Sequence, residues 1–353
     1  MSDAPVTLSQ VAREAGVSLA TASRAINGSA TRSVREDLRE RVLEAARRLD
    51  YSPDPSAQAM ARGRTTALGL VVHDIADPYF STIAAGVARA AEREGLIVTL
   101  ASTEHSPERE LTFVELARRQ RSRAVILAGG RLAPDDATPT SAALNAALHA
   151  FREAGGGVAL IGQPVDDLPV VEVANTDGAA DLARELHGLG YRRFAVLAGP
   201  PGHRTAADRT DGFTAALAEL GSPVAPDDVL DCAFTRDGGY SAMGGLIERT
   251  GGAAPGDVSG LPELVFAVND VMAVGAMAAV RDAGLSVPGD VAVAGFDDIH
   301  TLRDVSPGLT TVRVPLAEIG ALATDLALGR SDGTRTPVHG EVVLRDSTPG
   351  RSS

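Results

Sequence analysis

Apolar positions in the first fifty residues recur with the period of a helix. Leu8, Val11, Ala12 and Ala15 stand at i, i+3, i+4 and i+7, which puts them on one face of a short helix. Thr7-Leu8-Ser9-Gln10 has the form of a capping box, so the helix is predicted to begin there. Gly16 is placed to stop it, and Ser18 can cap a second helix at once. In that second helix Ala22, Ala25 and Ile26 share one face, leaving Leu19, Ala20, Thr21, Ser23 and Arg24 toward the other. Two helices joined only by Gly16-Val17 must cross steeply, the geometry of a helix-turn-helix whose second helix enters the major groove of DNA. Leu38, Val42, Ala45 and Leu49 then predict a third helix that closes a small all-α core.

Tyr51-Ser52-Pro53-Asp54-Pro55 interrupts the pattern, and Asp54 followed by Pro55 is a good start for a new short helix, about 54–62. So short a helix is marginal alone in water, and is expected to form only when a dimer and DNA are both present. From Leu68 onward buried β-runs alternate with helical stretches. The runs are Leu68 to Val72, Ile97 to Ala101, Ala124 to Ala128, Val158 to Gly162, Phe194 to Ala198, Leu264 to Val268 and Val291 to Ala294. Between the first two, Phe80, Ile83, Ala84, Val87 and Ala91 mark one helix face. Such alternation implies parallel sheets covered by helices on both sides. About 290 residues are too many for one sheet of this kind, so two Rossmann-like lobes with a cleft between them are expected.

Composition narrows the function more than the fold. The 353 residues carry a net charge of -13 and 44% hydrophobic residues. Residues 1–64 hold ten arginines against eight acids, whereas the remainder holds 23 against 38, so the acidity belongs to the core. Every basic residue is arginine, which removes phosphate-loop and Schiff-base chemistry that needs lysine. No apolar run approaches a membrane span, and the start has neither a basic nor an apolar signal region, so a cytoplasmic protein is expected. The single cysteine, Cys232, is expected to be a buried small hydrophobe. The seven histidines are scattered without metal-ligand spacing, no dinucleotide fingerprint or nucleophile elbow occurs, and no catalytic residue, metal or cofactor is expected. An enzyme on a doubly wound fold thus has nothing to carry it, and a transport-associated sugar-binding protein would lack both an export signal and a use for the helical head.

The stretches Thr7 to Ser18 and Thr21 to Gly28 together resemble the DNA-binding signature of the LacI/GalR family of transcriptional regulators. The likeness continues in Asp77-Pro78-Tyr79-Phe80, Asn175-Thr176-Asp177-Gly178, Leu197-Ala198-Gly199-Pro200, Arg209 with Gly212-Phe213, Val268-Asn269-Asp270 and Gly295-Phe296-Asp297-Asp298, and spans roughly residues 6–345. Two departures stand out: the loop after Asn27-Gly28-Ser29 is about two residues longer than the family pattern, and Arg35 sits where a capping serine is usual. The resemblance implies a helix-turn-helix head (1–50), a hinge (51–65) and a two-lobed periplasmic-binding-protein-like core. The chain would cross between lobes near 174, 288 and 314, giving a first lobe of 66–174 plus 288–313 and a second of 175–287 plus 314–346. The polar tail 347–353 is expected to be disordered, and without leucine heptads it offers no coiled coil for tetramers.

The resemblance also implies a homodimer on palindromic operator DNA, with DNA contacts from Thr7, Ser18, Leu19, Ala20, Thr21, Ser23, Arg24 and Asn27 in the head and Ala57, Met60 and Arg62 in the hinge. Arg24 is the leading guanine reader. Met60 occupies the position of the residue that wedges between base pairs, and Arg62 and Arg64 touch phosphates. For the core, ligands of open α/β sheets bind outside the carboxyl ends of the strands, which draws Asp77, Tyr79, Phe80, Arg209 and Asp270 to one cleft, with Phe234 beside them on a weaker local match. Carboxylate and guanidinium groups suit neighbouring hydroxyls, and aromatic rings suit the apolar face of a sugar. The expected function is a repressor released by a small-molecule effector, most simply a sugar, with a corepressor mode left open. Asp270 could instead cap the helix that follows it, Arg209 could pair with a carboxylate, and His73, at the end of the first core strand, reads as structural.

Overall fold

The computed structural model describes residues 6–27, 34–52, 64–129, 138–251, 258–331 and 333–351. The chain divides into two compact units, within 1–66 and 67–353. The expected hinge helix, Ala57, Met60, Arg62 and the loop after Asn27 lie outside the described residues.

In the first unit, α1 (Leu8–Glu14), α2 (Leu19–Asn27) and α3 (Glu36–Arg48) pack around Val11, Ala12, Ala15, Ala22, Ala25, Val42 and Ala45. The Thr7 capping box is complete, with side chain and backbone of Thr7 and Gln10 bonded reciprocally. Gly16 turns the chain at φ 63°, a conformation that glycine adopts without strain, and the guanidinium of Arg41 donates to the carbonyl of Ala15 at the end of α1 at 2.6 Å. Arg35 stands at the N-cap of α3 without a side-chain cap bond and pairs instead with Asp37.

The second unit is two-lobed. One sheet has the order β11-β5-β4-β3-β1-β2, every pairing parallel. Its strands are β1 (Ala67–Val72), β2 (Ile97–Ser102), β3 (Ala124–Ala128), β4 (Gly157–Ile161), β5 (Val170–Val173) and β11 (Arg335–Val338). Helices α4 (Pro78–Arg93), α5 (Pro107–Arg119), α6 (Pro139–Glu153) and α11 (Leu316–Ala327) belong to this lobe. The other sheet runs β7-β6-β8-β9, also parallel, from β6 (Phe194–Gly199), β7 (Val229–Asp231), β8 (Leu264–Ala267) and β9 (Ala292–Ala294). It carries α7 (Asn175–Gly188), α8 (Arg204–Glu219), α9 (Arg236–Arg249) and α10 (Asp270–Asp282), and an antiparallel pair, β10 (Thr311–Arg313) with β12 (Glu341–Val343), extends it.

These pairings correct the expected lobe boundaries. Leu264 is in register with Ala292, so residues 288–313 belong to the second lobe, and α11 with β11 returns the chain to the first. The crossings lie near 174, 314 and 339. A short apolar run reveals that it is a strand and not which sheet it joins, because either sheet would bury it equally well. α11 sits so close on α4 that a Cβ on Gly86 would lie 2.0 Å from the carbonyl oxygen of Ala317. The tail expectation is corrected too. Ser347 and Thr348 are buried, the Ser347 hydroxyl donates to the Val293 carbonyl at 2.7 Å, and the Tyr191 hydroxyl donates to that of Pro349 at 2.9 Å. Polar composition alone suggested disorder, but hydroxyls that meet β9 and Thr310 satisfy one another inside the lobe. Cys232 is half-buried at the core margin rather than within it.

Candidate functional site

In the head, the apolar face of α2 is turned into the core through Ala22 and Ala25, which leaves Leu19 52% exposed, Ala20 exposed, and Thr21, Ser23, Arg24 and Asn27 half-exposed. Ser18 accepts from the Thr21 backbone at 3.1 Å and so starts the helix, while the amide of Asn27 donates to the Ser23 hydroxyl at 3.3 Å. One helix thus presents a bare, contiguous row of short side chains and one arginine, a shape that fits a groove. Thr7 is committed to its cap.

In the core, a cavity of about 560 Å³ opens between the lobes. It is walled by segments that follow the carboxyl ends of β1, β2 and β3 on one side and of β6, β7, β8 and β9 on the other, where parallel sheets place their ligands. Asp77 caps α4, its Oδ1 accepting from the Tyr79 backbone at 2.9 Å, and Pro78 fills the first helical position. Tyr79 and Phe80 meet edge to face with ring centres 5.0 Å apart. Arg209, on α8, is only 2% exposed, and each of its three guanidinium nitrogens is engaged. Nε donates to Asn175 at 2.8 Å, one terminal nitrogen to the Val268 carbonyl at 2.7 Å and the other to Asp297 at 2.8 Å. Its Cζ lies over the Phe296 ring, 3.9 Å from the ring centre. Asp77, Tyr79, Phe80, Arg209 and Phe234 all line the cavity.

Asp270 does not. Asn269 caps α10 and lines the cavity, accepting from Met272 at 2.9 Å, while Asp270 turns inward and is fully buried. Its carboxyl accepts from the Ile299 backbone at 2.9 Å and from the Thr311 hydroxyl at 2.6 Å, and burial raises it to about 6. It therefore fastens the segment beyond β9 instead of facing a ligand, and it is not the cap either.

The cavity gains residues that sequence reasoning left out. Asp297 is buried with φ 123°, a backbone region that side-chain-bearing residues rarely adopt, and burial raises its carboxyl to about 8 against the lowering influence of Arg209. It had appeared only as a landmark of the resemblance, as had Asn269. His73, His105 and His203 also converge there, far apart in sequence and so invisible as a group. The His73 and His105 rings lie 4.0 Å apart, His105 faces His203 across the cleft at 6.2 Å, and His203 stacks on Phe234 at 4.6 Å. The Gln163 amide also spans the lobes, donating to Thr205 at 2.8 Å. Among the described residues no group of three or more histidine, cysteine or acidic side chains could hold a metal ion, and no helix is long and apolar enough to cross a membrane.

Residues 7–54 match the family model of bacterial regulatory proteins of the lacI family, and residues 183–353 match a periplasmic binding protein-like domain. The transcriptional regulator GalS of Salmonella typhimurium is 34% identical over 93% of this chain and 91% of its own length. The transcriptional repressor CytR of Escherichia coli is 31% identical over 97% and 96%. Among solved structures, the lac repressor dimer bound to operator and the anti-inducer ONPF aligns with TM-score 0.81 at 26% identity, over 98% of this chain and all of that one. The regulator CelR in complex with cellobiose aligns with TM-score 0.67 at 28% identity, over 97% and 99%. A groove-shaped helical head, a two-lobed binding core and relatives matched along nearly their whole length agree: this chain belongs to the LacI family and is a DNA-binding transcriptional regulator, not an enzyme.

Proposed function

We propose that this regulator is a repressor that acts in the cytoplasm as a homodimer on a palindromic operator, and that a small molecule bound between the lobes, most simply a sugar, releases it. The observation that carries the reading is the cavity itself, which has hydrogen-bonding groups from the second lobe, Arg209, Asn269 and Asp297, facing Asp77, Tyr79 and Phe80 from the first. Cellobiose in the complex of the structurally similar CelR, and the operator-bound lac repressor dimer, support the same arrangement. One helix-turn-helix reads a half-site, so a two-fold dimer reads a palindrome. In the head, Leu19, Ala20, Thr21, Ser23 and Arg24 read bases while Thr7, Ser18 and Asn27 contact the backbone. From the hinge, Met60 wedges and Ala57 and Arg62 position.

A ligand that touches both walls favours the closed core, and it moves the operator equilibrium only by its differential affinity for the two states. Release by ~100-fold corresponds to about 2.7 kcal/mol of coupling, within the range of known allostery. The test is a titration of operator duplex with purified protein, with and without sugars. The proposal expects palindrome-dependent binding that a sugar weakens. Operator affinity indifferent to every ligand that stabilises the core would overturn the release mechanism, and tighter binding with ligand would make the small molecule a corepressor.

A further inference from the structure

We propose that closure of the core is proton-sensitive: a row of three imidazoles crosses the cleft and holds the lobes together while His203 is neutral, and protonation of His203 parts them. The switch belongs to the unliganded core and goes beyond the effector reading of the cleft. His73 follows β1 and His105 follows β2 in the first lobe, whereas His203 stands at the start of α8 in the second. Ring centres are 4.0 Å apart from His73 to His105 and 6.2 Å apart from His105 to His203, and His203 stacks on Phe234 at 4.6 Å. The lobes thus meet through rings that can each take a proton. An uncharged tie runs beside the row, the Gln163 amide donating to Thr205 at 2.8 Å.

The closed geometry fits only the neutral form of His203. Its Nδ1 accepts from the Ala206 backbone at 3.3 Å and caps α8, so the neutral ring carries its proton on Nε2. A second proton on Nδ1 would displace the cap and put a cation at the helix N-terminus, where the backbone dipoles disfavour it. The residue is 7% exposed, and burial, followed by the His105 and His73 rings and the Arg209 cation, holds it down to about 4.

The carboxylates around the row do not offset this. In the first lobe, Glu110 on α5 lies 3.4 Å from His73 Nε2, and Asp74, after β1, accepts from the Ala76 backbone at 2.8 Å. Asp77 caps α4, Glu104 pairs with Arg109 at 3.0 Å, and burial raises the Tyr79 hydroxyl, which stays neutral. In the second lobe, Asp237 pairs with Arg236 and Asp297 with Arg209, each at 2.8 Å. A proton drawn by Glu110 therefore settles at the His73 end of the row, where its charge adds to the repulsion on His105 and His203. Opening wets His203 and returns it toward the ordinary histidine value of 6.5. The advantage of the closed form is thus complete above 6.5 and is lost as pH falls toward 4. Between about pH 7.5 and pH 5.5 this one ring should raise the open-to-closed ratio by up to about tenfold.

The experiment uses the full-length, unliganded protein. Cys232→Ser removes the native thiol, and Gln120→Cys and Glu219→Cys, at exposed positions at the ends of α5 and α8, carry one nitroxide on each lobe. Labelled subunits are diluted with unlabelled ones, and the distance between the spins is measured by pulsed electron resonance from about pH 7.5 to about pH 5.5. A longer-distance population should grow at the lower pH by up to about tenfold relative to the short one. His203→Asn, whose side chain still caps a helix and does not titrate, should stay closed and lose most of that response. An unchanged distance distribution in the wild type, or an undiminished response in His203→Asn, overturns the proposal. A histidine NMR titration of the wild type gives a second reading that survives a variant that fails to fold: the His203 ring should titrate below the ordinary value, and titration at or above it overturns the switch.

Discussion

The head and the core carry function in opposite ways. In the head the recognition face of α2 is exposed, built from neighbours in sequence, and separate from the Ala22 and Ala25 face that holds the unit together. In the core the groups that line the cleft are themselves part of the interior: Arg209 ties together α7, the end of β8 and the segment after β9 through Asn175, Val268 and Asp297. A surface reader can change its side chains without changing its fold. A buried binding site cannot, because the atoms that would meet a ligand also satisfy one another.

The largest break in this contrast is expected at Arg209. Arg209→Ala leaves the buried oxygens of Asp297, Asn175 and Val268 without their shared donor, so the core should lose about 3–5 kcal/mol of stability together with its ligand response. Denaturant unfolding of the variant checks this, and a core that keeps its midpoint would show that the network is dispensable. The second test uses pH. Burial raises the carboxyls of Asp270 to about 6 and Asp297 to about 8, against 3.8 in an unfolded chain. The folded core therefore keeps protons that the unfolded chain has released. Their stabilising contribution is complete below 3.8 and is lost as pH rises through the folded values. Asp297→Asn, which imitates the protonated form, should gain on the wild type as pH rises from about 4 to about 8, by at most about 1.4 kcal/mol per pH unit. A constant gap between the two melting curves across that window would contradict the assignment.

The head should respond in the opposite sense. Arg24→Ala is expected to cost roughly 1–3 kcal/mol of operator affinity and to relax preference at one base position, with the melting temperature of the protein unchanged. A uniform loss over all sequences would make Arg24 a phosphate contact. The smallest effect belongs to Thr7, whose side chain, like that of Ser18, both caps a helix and is assigned to DNA. Thr7→Ala should lower stability by about 1 kcal/mol, and Thr7→Ser should retain the cap. Circular dichroism melts of the two variants distinguish capping from DNA contact.

The periodicity of residues 8–49 determined the three helices of the head, the capping box and the outward face of α2, since each depends on neighbours a few positions apart. The same local logic found the longer core strands and placed Asp77, Tyr79 and Phe80 at the end of β1 and Arg209 beyond the end of β6. It missed β5, β7, β10, β11 and β12, which run three or four residues each. The crossings implied by the family resemblance put β9 in the wrong lobe, and local pattern could not correct them, because a strand of three buried residues pairs with whichever edge the rest of the chain leaves open. Asp270 and Asn269 are adjacent in sequence yet point to opposite surroundings, a difference set by the first turn of α10 against Thr311 and Ile299 and not by either residue's chemistry. Likewise His73, His105 and His203 come from three separate strand ends, and only the closing of two parallel sheets toward each other brings their rings together across the cleft. Helix periodicity and capping are interactions within one segment, and a single chain can be read for them. The wall of a cleft is a sum over segments that meet only after folding, so its membership is decided by the tertiary structure.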